Sequence, residues 1–325
     1  MHAKRRVFLL SALASLLAAQ AAMAAPGYPE RTITIVVPFS AGGGVDAIAR
    51  LLANKLRESL KQSVVVDNRP GASGMLGASF VVKAPADGYT LLMGSAGETA
   101  INPFVYKARM QYQPARDLSP ISLVVKVPNI LVANPALPVK DVAELVAYAK
   151  KNPGKLTYAT SGVGNPQHLN GELLQSLAGI TMQHVPYKGA SGQLVDVASG
   201  TVDLSFVSYA GAAPFLKGNR LKALAVTSEK RASFAPTIPA IAETVPKYNL
   251  ENWFGLFAPG ATPAAVTAKL GAAVHEALRD PALVKQLQEQ GGEPAPMTQD
   301  QFREFIKSQS RLYEQIVDAG KIVAE

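Results

Sequence analysis

The chain of 325 residues contains no cysteine. That excludes thiol catalysis, disulfide bridging and Cys-ligated metal. A chain of this length can stabilise itself through an apolar core without disulfides. Past the N-terminus no apolar run approaches the ~18 residues that a membrane span needs. No cluster of Lys and Arg interleaved with aromatics is present, so nucleic acid is a poor partner. No lysine follows the glycine-rich loops, which excludes a phosphate-binding P-loop. Low-complexity segments and solenoid periods are absent as well.

The first 24 residues read as a leader. Lys4, Arg5 and Arg6 form a basic start, Val7 to Leu17 is apolar, and Ala22-Met23-Ala24 is a small-residue cleavage site. This is the pattern of a cleavable secretory signal peptide. Removal leaves 301 residues and takes three basic and no acidic groups, so the formal charge falls from +8 to +5. The remaining charges are spread along the chain. A modest positive field of this kind favours small anions.

The pattern beyond the leader alternates strand and helix. Strands are expected at 32–37, 64–67, 89–93, 121–125, 129–133, 156–159, 182–185, 203–207, 222–226 and 253–258. Between the first two, Val45, Ile48, Leu51, Leu52 and Leu56 fall on one helical face. Val142, Leu145, Val146 and Ala149 do the same before the stop at Asn152-Pro153-Gly154. Such alternation means a parallel or mixed α/β sheet. The C-terminal part turns helical. Thr262-Pro263 and Asp280-Pro281 read as N-cap and N1 pairs, and Thr298 with Gln301 reads as a capping box. Residues 32–67 and 156–185 share the order strand, glycine loop, helix, strand. Two lobes follow, with the chain entering the second near residue 125 and returning near 228. The boundaries are then 25–125 plus 228–325 for lobe one and 126–227 for lobe two.

The two glycine loops carry the chemistry. One runs from Ser40 through Gly42, Gly43 and Gly44. The other runs from Thr160 through Ser161, Gly162, Gly164 and Asn165. A strand that turns through glycines into a helix leaves N–H groups without partners at the positive end of the helix dipole, which favours an anion. Gly42 to Ala47 also satisfies a relaxed dinucleotide pattern, with Asp67 ending the next strand. An exported chain with no catalytic partner downstream argues against a nicotinamide cofactor, so no cofactor is expected. Thr160-Ser161-Gly162 lacks the flanking residues of a nucleophile elbow, so Ser161 is read as a hydroxyl donor. No catalytic constellation emerges, and the chain is not read as an enzyme.

Three histidines remain after cleavage. His168 stands in the first turn after the second loop, where it locks the loop or bonds a ligand carboxylate. His184 and His275 read as structural. No pair has metal-ligand spacing, so no metal site is expected. Asp46, early in its helix, reads as a cap or brace for the first loop, because a carboxylate there competes with an anionic ligand for the dipole.

Several ordered segments resemble one known family. They are Pro38 to Gly43, Asn68 to Ala72, Ala84 to Leu91, Thr160 to Gly164 with His168 to Glu172, Val185 to Gly189, and Gly200 to Asp203. Together they resemble the Bug/TctC family, the extracytoplasmic solute receptors of tripartite tricarboxylate transporters. The resemblance spans nearly the whole chain past the leader. It implies a type II periplasmic-binding-protein fold, with two α/β lobes joined by crossing strands and a small carboxylate held in the cleft by the glycine loops and bridging waters. The first loop maps to Phe39, Ser40, Ala41, Gly42 and Gly43. The second maps to Thr160, Ser161, Gly162 and Gly164, with His168 behind it. Ser95 and Gly97 fall on a third wall that leads to Asn102-Pro103, and Phe206 and Ser208 close a fourth side. The resemblance also implies a periplasmic monomer whose closed form is recognised by a permease with one large and one small subunit. A receptor that reports to a sensor kinase is the alternative.

One position departs from the family pattern. Members often carry Thr-His where this chain has Glu98-Thr99. Glu98 either lines the cleft, where its charge disfavours an unpaired second acidic group on the ligand or favours a ligand amine, or points to solvent.

Overall fold

The computed structural model describes residues 27–187 and 190–323; the leader expected over 1–24 lies outside the described residues. The first strand, β1 (Ile33–Val37), is an apolar run that leads into α1 (Gly44–Leu60). β2 (Val64–Asn68), α2 (Met75–Val82) and β3 (Thr90–Ser95) follow. β1 pairs in parallel with both β2 and β3. The chain then makes one turn of π-helix over 97–101, α3 (Asn102–Val105) and α4 (Pro114–Asp117). β4 (Leu118–Val127) runs almost directly into β5 (Asn129–Ala133), with Pro128 between them.

β5 opens a second sheet. α5 (Val142–Lys151), β6 (Thr157–Thr160), α6 (Pro166–Ala178), β7 (Gln183–Pro186), α7 (Ala190–Ser199), β8 (Leu204–Ser208), α8 (Tyr209–Lys217) and β9 (Lys222–Val226) complete it. The order is β7-β6-β8-β5-β9, with β6, β7 and β8 parallel and β5 antiparallel to β8 and β9. The chain regains the first sheet at β10 (Asn252–Pro259), which is antiparallel to both β3 and β4. α9 (Ala264–Ala277), α10 (Pro281–Glu289), the short β11 (Glu293–Pro294) and α11 (Gln299–Ala319) follow. The first sheet therefore reads β11-β4-β10-β3-β1-β2.

All ten expected strands occur, most shifted by a residue or so at their ends. The helix starts are more exacting tests of the local chemistry. Asp280 accepts from the N–H groups of Ala282 and Leu283, and Thr298 with Gln301 forms the reciprocal box. Thr262 does not cap α9. Pro263 takes the N-cap position, and the Thr262 hydroxyl is buried without a partner.

The return to the first sheet differs from expectation. It comes after residue 250, not near 228. Val226 pairs with Ala240, Leu250 N–H donates to Thr227 O, and Ala232 and Ala240 pack in the second lobe's core. Apart from a short turn at Ile241–Glu243, the segment between β9 and β10 carries no regular element. Phe234, Ile238 and Ala242 of this segment also pack against the second lobe's core. The outgoing crossing follows Val127, two residues beyond the expected boundary.

The crossings lie side by side. Val127 is in register with Asn252 and Lys126 with Trp253, and Lys126 Nζ pairs with Glu251 Oε1 at 3.3 Å. A third link is made by α11, which packs on β4 and on α6. Its Tyr313 hydroxyl accepts from Trp253 Nε1 at 3.0 Å, and its Phe302 ring is fully buried edge-on to Trp253. Tyr248 adds a tie of the returning segment to α6, donating to Asn170 Oδ1 at 2.6 Å.

Phe302 also packs against Phe257, so truncating it removes a ring shared by the first sheet and the clasping helix. Phe302→Ala is expected to cost about 3–5 kcal/mol of folding stability. Urea titration checks this, and a loss below about 1 kcal/mol would show that α11 is not anchored through this ring.

Candidate functional site

The carboxyl ends of β3 and β8 lie against the crossing strands β10 and β5, and β1 and β6 stand one strand further out beside them. In open α/β sheets ligands bind outside such strand ends. Both glycine loops leave from there. The second loop touches the first lobe at Gly164, where a Cβ would stand 2.5 Å from Val105 Cγ1 of α3. Gly164 has φ +72, so backbone conformation and space both require glycine there.

The first loop is exposed from Ser40 to Gly44, and Phe39 is half-buried. Gly43 is the N-cap of α1, and no side chain caps that end. Asp46 instead bonds backward, accepting from Gly42 N–H at 2.9 Å. The same carboxylate accepts from Arg50 Nε at 3.0 Å and from Asn68 Nδ2 at 2.9 Å. Asn68 Nδ2 also reaches Phe39 O, and Arg50 reaches Asn68 Oδ1. Burial works against the charge on Asp46, but the bonds from Arg50, Gly42 and Asn68 outweigh it and lower its pKa. Asp46 braces the loop, in keeping with its expected role. The N–H groups of Gly43 and Gly44 have no partner among the described residues. They form an open, positively polarised helix end.

The second loop is built differently. Asn165 caps α6 by accepting from His168 N–H, and donates through Nδ2 to Ser161 Oγ. Ser161 N–H is taken by Gln167 Oε1 at 2.7 Å, and Gly162 N–H by Thr160 Oγ1 at 3.3 Å. Gly164 N–H donates to His168 Nδ1 at 3.1 Å. Most of the donors expected to be free for a ligand are therefore bonded within the loop. What this loop offers is the Ser161 hydroxyl and the N–H groups of Val163 and Asn165, which have no partner among the described residues.

His168 is the lock. Accepting from Gly164 N–H requires a bare Nδ1, which puts the ring proton on Nε2, 3.6 Å from Glu172 Oε1. Its ring stacks on His184 with centroids 3.7 Å apart, and His184 Nε2 bonds Thr160 Oγ1. Burial first, and then the neighbouring His168, push the His184 pKa down to about 4. His184 is neutral near pH 7 and structural. His275 bonds Met297 O, also a structural role.

Ser208 is half-buried at the N-cap of α8, where its hydroxyl oxygen accepts from Gly211 N–H. Phe206 does not close the cleft. It is fully buried in the core, edge-on to Tyr158, because it shares the β8 face of Leu204. Glu98 fits neither expectation. It is 0% exposed, so it neither points to solvent nor lines an open cleft. Its carboxyl is folded back on Ser95, accepting from Ser95 N–H at 2.5 Å and bonding Ser95 Oγ at 2.6 Å. Gly97, just past the carboxyl end of β3, is half-buried, whereas the rest of this turn is buried. Arg50 went unnoticed in the sequence, although its i+4 spacing from Asp46 is a signal that reveals such pairs. A separate groove of about 570 Å³ between α6 and α11 is lined by none of the loop residues.

Burial raises the Glu98 pKa from 4.5 to about 7, against the lowering effect of its bonds to Ser95. A raised acid is penalised in its charged form only when folded. That penalty is absent below about pH 4.5 and complete above about pH 7. The wild type should lose up to about 3 kcal/mol of stability across that window, and Glu98→Gln should lose none of it. Urea midpoints at a series of pH values check this. Parallel curves for the two proteins would contradict it.

Comparison with known proteins agrees with this architecture. Residues 48–322 match the model of the tripartite tricarboxylate transporter family receptor. Protein BugT of Bordetella pertussis is 35% identical over 313 residues, covering 95% of this chain and 96% of that one. The solved structure of R. palustris Rpa4515 with adipate is 37% identical with a TM-score of 0.82, covering 91% of this chain and all of the other. MatC (Rpa3494) from Rhodopseudomonas palustris, with bound malate, is 30% identical with a TM-score of 0.77, covering 89% and 100%. The two-lobed α/β fold is thus that of the periplasmic binding proteins, and the chain belongs to the tripartite tricarboxylate transporter receptor family.

Proposed function

We propose that this chain is a periplasmic receptor that closes its lobes on a small organic carboxylate and delivers it to a permease of the tripartite tricarboxylate type. The observation that carries the reading is the uncapped N-terminus of α1, held open by Asp46 beside the crossing strands. Adipate and malate in the two similar structures indicate the ligand class.

In this reading the N–H groups of Gly43 and Gly44 receive one carboxylate. The Ser161 hydroxyl and the Val163 and Asn165 N–H groups approach from the second lobe. Ser40, Ala41 and Phe39 shape the near wall, and Ser208 lies on the far side. Closure excludes water and strengthens these bonds. The hinge lies at Val127–Asn129 and at 250–252, where the crossings run together. No residue is assigned a catalytic role, and the protein acts as a monomer with no cofactor.

Calorimetry against a panel of mono- and dicarboxylic acids, with NAD as control, tests the assignment. At least one acid should bind and NAD should not. NAD binding, with every acid silent, would overturn it. Gly42→Val is the informative variant. Gly42 has φ +82 but open space around its Cβ position, so the variant should fold while the loop is reshaped. Its affinity for the bound acid should fall by more than about tenfold. Unchanged affinity would remove the first loop from the site.

Closure has its own test. Small-angle scattering should show a smaller radius of gyration at saturating acid than in its absence. An identical radius in both states would argue that the lobes are fixed by the α11 clasp.

A further inference from the structure

Behind the third wall lies a carboxyl group that the fold leaves without a cation. Glu98 sits in the π-helical turn after β3, 0% exposed. Both its oxygens bond Ser95, and Ser95 Oγ also accepts from Gly97 N–H at 3.2 Å. Gly97, Ser95 and Glu98 therefore form a short relay running from the half-buried start of the turn, just past the carboxyl end of β3, to a buried acid.

The groups around the acid are few. A Cβ on Gly74 would stand 3.1 Å from Glu98 Oε2, so backbone covers that side. Thr99 donates to Ser95 O, and the Tyr112 hydroxyl donates to Glu98's own carbonyl oxygen at 2.7 Å. On the neighbouring elements Lys107, Arg109 and Arg116 are exposed, and Arg116 pairs with Asp117. On α11, Arg303 pairs with Asp300 and Lys307 with Glu304, all at the surface. Among the described residues burial and the bonds to Ser95 govern the Glu98 carboxyl, and burial dominates its titration.

We propose that Glu98 is a positioning residue that couples anion binding in the cleft to the uptake of one proton at its carboxyl. The inference rests on the reading of the cleft as a carboxylate site. While Glu98 is charged, the Ser95 hydroxyl must donate to it. When a proton from solvent adds to Oε2, that oxygen becomes the donor to Ser95 Oγ. The Ser95 hydroxyl proton is then free to turn toward Gly97 and the cleft, with the Gly97 N–H bond retained. No other bond forms or breaks. A ligand carboxylate near Gly97 repels a charged Glu98 and attracts the freed hydroxyl, so binding and protonation favour each other. By linkage the coupling is reciprocal.

Calorimetry with adipate, in two buffers of different ionisation enthalpy at about pH 7, measures the protons taken up. The wild type should take up a substantial fraction of a proton per adipate. Its affinity should weaken by about fivefold between about pH 6 and about pH 8, the change that one pKa unit of coupling gives over that range. Glu98→Gln should bind with an affinity near the wild type's acid-side value, take up no proton and show a flat profile over that range. A ¹³C titration of the Glu98 carboxyl in the wild type, with and without adipate, gives the same answer if the variant does not fold: adipate should move the midpoint upward. Adipate binding without proton uptake, or with the same pH profile in both proteins, overturns this inference and leaves the receptor reading intact. Failure to bind adipate or any other acid of the panel overturns both.

Discussion

The Asp46 carboxylate holds the site together. It sits in the first turn of α1, where a negative charge would ordinarily compete with an incoming anion. Here it is turned back to the Gly42 N–H and neutralised by Arg50 and Asn68. Its charge is thereby satisfied without covering the Gly43 and Gly44 amides. Asn68 ties the same cluster to Phe39 O, so the end of β2 and the loop after β1 move as one piece. In the proposed reading the helix end is thus prepared before any ligand arrives, which lowers the cost of ordering it on binding.

The two lobes resemble each other in order but not in how they use their donors. The first loop leaves its helix end open, whereas the second closes its own with Asn165, Gln167 and His168. A rigid second loop set against an open first one suits a receptor in which one lobe fixes the anion and the other shuts over it. The connection between the lobes is narrow because β4 and β10 are neighbours in one sheet. Lys126 and Glu251 pair at its base. α11 bridges both lobes outside the strands, so any closure must be a rotation that keeps the Trp253, Phe302 and Tyr313 packing intact.

Much of this was legible in the sequence because it depends on local rules. Apolar runs located the strands, and the loops followed from the change of period after β1 and β6. Asp46 as a brace and His168 as a lock were both within reach, since each bonds a residue four positions away. What escaped depends on long-range packing. Nothing local says that Glu98 is buried, because its cover comes from Gly74, some two dozen positions earlier in the chain. Phe206 was misplaced because its facing depends on which side of β8 meets Tyr158. The stretch after β9 lacks periodicity, so its allegiance to the second lobe shows in the Val226–Ala240 pairing, the Leu250–Thr227 bond and the packing of Ala232 and Ala240. The two-residue β11 is too short for any pattern to mark.

The central claim is that a carboxylate is received by the open amide end of α1, with the second loop supporting it. Amide ¹H–¹⁵N spectra of the isotopically labelled protein, recorded with and without a saturating dicarboxylate, test it most directly. The account predicts that the largest downfield shifts fall on Gly43 and Gly44, with smaller ones on Val163 and Asn165. Those of Ser161 and Gly164, already bonded to Gln167 and His168, should move least within the loops. Shifts confined to the second loop, or centred on the groove between α6 and α11, would contradict it.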